Sequence, residues 1–152
     1  MKRYLLIILL LIITITGCGK KANETEKKFY KFARMNGTSM SPNYNDGDLL
    51  NFYYYDKLSR GDVVLFKYKD ETMIKRVIGL PNEKITYKNN KLYINEKYIE
   101  EDYLADDVVT DDFEDEIENC YYLMGDNRII SYDSRHFGCI KEEDIIAYLE
   151  NN

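Results

Sequence analysis

Between Phe29 and Leu149 almost every apolar segment is short, and none repeats at the 3.6-residue spacing of a packed helix. The segments are rich in Tyr, Ile and Val and end at Gly, Asp or Asn, the pattern of half-buried strands joined by turns. Candidate strands are Phe29 to Met35, Leu49 to Tyr55, Asp62 to Tyr68, Met73 to Ile78, Lys84 to Tyr87, Lys91 to Ile94, Tyr121 to Met124 and Asp144 to Leu149. Asn89-Asn90 between ITYK and KLYI predicts a hairpin turn, because Asn tolerates positive φ. There are no internal repeats. The expected architecture is all-β (mainly β), a barrel-like or two-sheet body over residues 29–152.

Composition narrows the function. Hydrophobic residues make up 45% and charged residues 32%, which argues against disorder and against a multi-span membrane protein. The net charge is -6, and more negative beyond Lys2 and Arg3, so nucleic acid is not an expected partner. One His and three scattered Cys fall short of a zinc site of the usual ligand count, and no metal or cofactor is expected.

Residues 1–18 read as an address. Lys2 and Arg3 precede the apolar run Tyr4 to Thr16, followed by the small residues of Gly17-Cys18-Gly19. Thirteen helical residues span roughly 20 Å against the ~30 Å of a bilayer core. The run is therefore either a cleaved signal or a strained anchor flanked by Lys20 and Lys21. Ile15-Thr16-Gly17-Cys18 resembles the lipobox of bacterial lipoproteins, in which the Cys is lipidated. Both readings place the domain at the cell membrane on its extracytoplasmic side, with membrane lipid as a partner. Residues 19–28 read as a charged tether. In an oxidising compartment Cys120 and Cys139 could pair, but the expectation is two buried free thiols. Glu100 to Glu118 holds eleven acids, and no Lys or Arg lies between Tyr98 and Asn127. It reads as a solvated surface insertion.

Three segments depart from generic strand or turn. In Gly37-Thr38-Ser39-Met40-Ser41-Pro42 a Ser follows a strand between Gly and Pro, where it can be held with its hydroxyl exposed. In Met73-Ile74-Lys75-Arg76-Val77-Ile78-Gly79-Leu80-Pro81 alternation puts Lys75 and Arg76 on opposite faces, so at least one cation meets a core-like surface. Burial disfavours a charged Lys, and the neutral amine can then take a proton from a serine hydroxyl. The third segment, Gly125-Asp126-Asn127-Arg128-Ile129-Ile130-Ser131-Tyr132-Asp133-Ser134-Arg135, is dense in polar groups and suggests a hydrogen-bonded loop bracing a site.

Ser-Met-x-Pro, Lys-Arg-Val-Ile-Gly-Leu-Pro and Gly-Asp-Asn-Arg-x-x-Ser-x-Asp-Ser-Arg together resemble the bacterial type I signal peptidases, in their compact Gram-positive form, over roughly residues 35 to 149. The resemblance implies a Ser–Lys serine endopeptidase that removes signal peptides from exported preproteins carrying small, Ala-x-Ala-like residues before the cut. By motif position it implies Ser39 as nucleophile and Lys75 as general base. Ser131 would hydrogen-bond and orient the Lys75 amine, Asp133 and Arg135 would form a bracing ion pair, and Asp126 and Asn127 would shape the loop. Gly37, Met40 and Pro42 would frame the nucleophile. Gly37 stands where some members carry an oxyanion-hole Ser, so backbone N–H groups would do more here. Asn82 follows Pro81 where Gly is common. Two alternatives are disfavoured, because this chain meets neither's conditions. It has an export-type N-terminal segment and no helical DNA-binding module, and it keeps both Ser39 and Lys75. A LexA-type self-cleaving repressor should carry a helical DNA-binding module and no export signal. A catalytically silent membrane-tethered lipoprotein that binds exported chains should have lost Ser39 or Lys75.

Overall fold

The structure, a computed structural model, describes residues 28–149. The expectations for residues 1–18, and for the tether up to residue 27, lie outside the described residues. Eleven strands alternate with short turns: β1 (Phe29–Arg34), β2 (Leu49–Tyr53), β3 (Val63–Tyr68), β4 (Glu71–Gly79), β5 (Lys84–Lys88), β6 (Lys91–Ile94), β7 (Lys97–Ile99), β8 (Phe113–Glu116), β9 (Cys120–Met124), β10 (Ile140–Lys141) and β11 (Ile145–Leu149). One short helix, α1 (Ser134–Phe137), and a single 3-10 turn at Glu142–Asp144 are the only helical pieces among the described residues. The protein is mainly β, as its periodicity predicts.

The strands form two antiparallel sheets. A seven-stranded sheet runs β1-β2-β11-β3-β4-β9-β10, and a four-stranded sheet runs β7-β6-β5-β8. The Asn89-Asn90 hairpin is present, with φ of 51° and 60° at the two residues. It sets β5 against β6 with Ile85 opposite Ile94 and Tyr87 opposite Leu92. Those four side chains pack with Ile78 of β4 and Tyr122 and Met124 of β9, which joins the small sheet to the large one. Asn82 adopts φ of 66°, so the residue standing where Gly is common keeps the left-handed turn that Gly would allow.

Three differences from expectation have physical causes. Strands β7, β8 and β10 are not among the expected strands: β7 and β10 are only three and two residues long, and Phe113-Glu114-Asp115-Glu116 of β8 reads as charged loop. Phe113 nonetheless stacks between Tyr87 and Tyr122, with centroids 5.1 and 5.9 Å away, and that packing holds an acidic edge strand in place. The acidic stretch is therefore not simply a solvated insertion. Its exposed acids surround buried anchors, and the Glu101 side chain is only 8% exposed. The expectation of free thiols is also corrected: Cys120 and Cys139 form a disulfide. Antiparallel pairing of Lys141 with Cys120 brings the neighbouring Cys139 within bonding reach.

Candidate active site

The turn after β1 presents Ser39. Gly37 takes φ of 82°, a conformation few L side chains adopt, and its N–H donates to Asp46 Oδ1 at 2.7 Å. Met40 is fully buried among Met35, Leu50, Phe52 and Leu65, so it pins the turn to the large sheet. Pro42 ends the segment after a cis Ser41–Pro42 peptide.

Lys75 lies in the middle of β4, opposite Val64 of β3, and Arg76 lies opposite Val63. Alternation separates the two cations as expected, yet both are buried, at 3% and 6% exposure. They are satisfied differently. Arg76 donates from Nε and Nη2 to Asp126 Oδ1 (2.8 Å) and Oδ2 (2.6 Å) and from Nη1 to the Gly61 carbonyl (2.8 Å). Lys75 has no such carboxylate pair. Its Nζ lies 2.8 Å from Ser39 Oγ and 2.9 Å from the Ile74 carbonyl. Burial moves Lys75 from the usual 10.5 down to about 8, against the negative charges of Asp133 and Asp126, which favour the ammonium. A neutral amine is thus accessible at mildly alkaline pH, within hydrogen-bond reach of a serine hydroxyl.

The third motif wraps this pair from the far side. The Asn127 N–H donates to the Ser39 carbonyl at 3.0 Å. Asp133 Oδ2 accepts from the Gly125 N–H (3.0 Å) and from Arg135 Nη2 (2.8 Å), and Oδ1 accepts from Arg135 Nε (2.8 Å). Burial works against the charged form of Asp133, but the Arg135 guanidinium overcomes it and holds the carboxyl below the usual carboxylate range. Asp133 also caps α1. His136, half-exposed in that helix, accepts the Asp133 N–H at Nδ1 within the capping box.

One expected contact is not made. Ser131 Oγ is buried but makes no hydrogen bond to Lys75; it lies near Asp133 instead, whose charged form it favours. The Ser131 hydroxyl is packed against Gly125, the residue that also lies on the Ser39 carbonyl.

Sequence reasoning missed the need for Gly125 itself. A Cβ there would sit 2.2 Å from Ser131 Oγ and 2.5 Å from the Ser39 carbonyl oxygen, so only Gly lets the loop pass. It also missed Asn43, whose Nδ2 donates to Asp126 Oδ2 (2.9 Å) and to the Tyr103 carbonyl (2.7 Å). No local signal in the sequence distinguishes Asn43 from an ordinary turn residue.

A groove of about 510 Å³ runs past Ser39 and Lys75. One wall is Lys31 to Asn36 and the other is residues 71–75, with Leu65 between them and Ile130 and Tyr132 at the rim. Strand β1 is an outer strand of its sheet, and β9 joins β4 only from Arg76 onward. Both walls therefore present backbone edges that no strand among the described residues covers, which suits an extended peptide.

A serine hydroxyl within hydrogen-bond reach of a buried lysine, beside a groove on a mainly β body, is an arrangement that serine peptidases can use. Comparison with known proteins makes this specific. The chain matches the family "Signal peptidase, peptidase S26" over residues 2–150. It is 38% identical over 138 residues to Signal peptidase I V of Bacillus subtilis, covering 78% of this chain and 82% of that protein. It is 36% identical over 135 residues to Signal peptidase IB of Staphylococcus aureus, covering 73% and 71%. The crystal structure of a signal peptidase I from Enterococcus faecalis superposes with a TM-score of 0.57 at 31% identity, over 62% of this chain and 98% of that one. The chain belongs to the bacterial type I signal peptidase family, serine endopeptidases that process signal peptides.

Proposed function

We propose that Ser39 is the nucleophile and Lys75 the general base of this peptidase. The carrying observation is the 2.8 Å approach of Lys75 Nζ to Ser39 Oγ by a lysine that burial brings down to about 8. As Ser39 Oγ attacks the scissile carbonyl carbon, the neutral amine takes the hydroxyl proton. Collapse of the tetrahedral intermediate breaks the C–N bond, and the Lys75 ammonium returns that proton to the leaving amine. Water then attacks the acyl ester and gives a proton to Lys75. The ester C–O bond breaks, the ammonium returns that proton to the departing Ser39 Oγ, and the new C-terminal acid leaves, ionising to solvent. With Gly37 in place of a hydroxyl-bearing residue, the oxyanion falls to backbone donors, the Ser39 N–H among them.

The substrate is an exported preprotein, extended between β1 and residues 71–75, with small Ala-x-Ala-like residues before the cut. Asp133 and Arg135 brace the loop behind the amine, while Asp126 and Asn127 hold the nucleophile turn. The N-terminal segment tethers the domain, residues 29–152, to the outer face of the cytoplasmic membrane, through lipidated Cys18 or an uncleaved anchor. Mass spectrometry of the membrane-bound chain distinguishes the two, since lipidation starts the mature chain at Cys18 with added diacyl mass. An intact N-terminus excludes lipidation.

Cleavage of a model preprotein by the full-length protein in detergent tests the reading. Ser39→Ala and Lys75→Ala should each abolish turnover about as fully as the double variant, because the pair acts as a unit. A substrate with Phe in place of the Ala before the cut should resist. Substantial turnover by either single variant, or equal rates on both substrates, refutes it.

A further inference from the structure

The acidic stretch has a buried, hydrogen-bonded part that its composition hides. Glu101 and Tyr103 lie between β7 and β8, outside the three motifs, yet they reach both sides of the Ser39 turn. On one side, Arg128 is completely buried and donates from Nη2 to Glu101 Oε1 at 2.6 Å. It also donates to the Tyr87 hydroxyl. The Tyr87 and Tyr103 hydroxyls donate in turn to Glu101 Oε2 and Oε1, each at 2.5 Å. Burial, with Glu101 alongside, pushes both tyrosine hydroxyls well above their usual value, so they stay protonated as donors. Arg128 Nε reaches the Gly125 carbonyl at 3.0 Å, and Gly125 is the residue packed against the Ser39 carbonyl and Ser131.

On the other side, the Tyr103 ring lies 4.2 Å from the Arg76 guanidinium, the partner of Asp126. The Tyr103 carbonyl accepts from Asn43, four residues after Ser39 in the same turn. One short segment thus fixes the Gly125–Arg128 loop through Arg128 and the nucleophile turn through Asn43.

We propose that Glu101 and Tyr103 are positioning residues of the peptidase, forming a strap that sets the register between the Ser39 turn and the Gly125–Arg128 loop. The proposal rests on Ser39 being the nucleophile. Glu101 is the keystone, because its single carboxylate satisfies a buried guanidinium and two buried hydroxyls together. Without that charge Arg128 is a buried cation lacking a counterion, and it must shift toward water or draw other partners in. Either movement releases the Gly125 carbonyl and the loop bonded to Ser39. A displacement of about 1 Å at the reacting groups costs roughly a hundredfold in rate.

The test uses the full-length protein in detergent and compares wild type, Glu101→Gln, Glu101→Asp and Tyr103→Phe, with Ile94→Val as a control. Ile94 packs in the small-sheet core and makes no bond in the network. Glu101→Gln should lower kcat roughly tenfold to a hundredfold with KM within about twofold. Glu101→Asp, which keeps the charge, should recover part of the loss. Tyr103→Phe, which loses one hydroxyl but keeps the ring over Arg76, should fall between wild type and Glu101→Gln, and it serves if Glu101→Gln does not fold. Ile94→Val should lose stability without losing kcat. A second readout needs no substrate. Amide hydrogen exchange at Gly125 and Asn127 should quicken in Glu101→Gln while β3 amides keep wild-type protection. Wild-type kcat in folded Glu101→Gln, a loss confined to KM, or exchange that quickens uniformly through the large sheet overturns the strap. If Ser39→Ala still cleaves, the nucleophile assignment fails instead, and the exchange pattern still decides whether the strap holds the loop.

Discussion

Lys75→Met should make the protein more stable while abolishing its activity, and the gain should fade as pH rises. The lysine moves from 10.5 free to about 8 folded, so folding disfavours its charged form by about 3 kcal/mol, each pKa unit being worth about 1.4 kcal/mol. Near pH 7 the side chain is charged in both folded and unfolded chains, and wild type carries the whole penalty. Between about 8 and 10.5 the unfolded chain holds a proton that the folded one has lost, so wild-type stability rises with pH across that window. Met has no charge and contributes no slope. The lost contacts to Ser39 and the Ile74 carbonyl offset the gain by an amount that varies little with pH. The stability gap between the two proteins should therefore close by about 2 kcal/mol from near pH 7 to near pH 10. Every other titratable group is common to both proteins and cancels to first order. Urea unfolding followed by circular dichroism, at several pH values, measures the gap. A gap constant across the range would refute a desolvated Lys75, whatever its absolute size.

Two further outcomes follow from the packing. Gly125→Ala should remove activity and lower stability, because its Cβ would meet the Ser39 carbonyl oxygen at 2.5 Å; preprotein cleavage and urea unfolding check both, and wild-type turnover contradicts the close approach. Reducing Cys120–Cys139 opens a ring that encloses the loop from Asp126 to Arg135, which should cost about 3 kcal/mol for a closure of this length. Activity should fall on adding dithiothreitol to wild type, while a Cys120→Ser, Cys139→Ser double variant should be unresponsive; equal responses would show that the reductant acts elsewhere.

Much of this molecule can be read from local pattern, and what cannot is consistently non-local. Strands β3 and β4 announce themselves because Val63-Val64-Leu65-Phe66 and the run around Ile74 are apolar enough to require burial. Asn89-Asn90 carries its turn in its own backbone preference. Ser39 and Lys75 stand out through their motifs and lie in contact, although 36 residues separate them. Strand β8 is invisible because its one apolar residue finds its aromatic partners on other strands. The disulfide depends on the register of β9 with β10, which no spacing rule supplies. Arg128 reads as a polar loop residue until Glu101 is brought over it. Ser131 differs again: its motif position suggests a bond to Lys75, and the structure sets its hydroxyl against Gly125 and near Asp133 instead.

The central claim is that a neutral, buried Lys75 activates Ser39, and the pH dependence of kcat/KM for preprotein cleavage tests it most directly. His136, the only histidine, is the competing candidate base, but its Nδ1 is engaged in the cap of α1. With Lys75 as base, the rising limb should have its midpoint near the lysine value of about 8, and His136→Ala should keep most of its activity. A midpoint near the ordinary histidine value of ~6.5, with cleavage lost in a folded His136→Ala protein, would contradict the account.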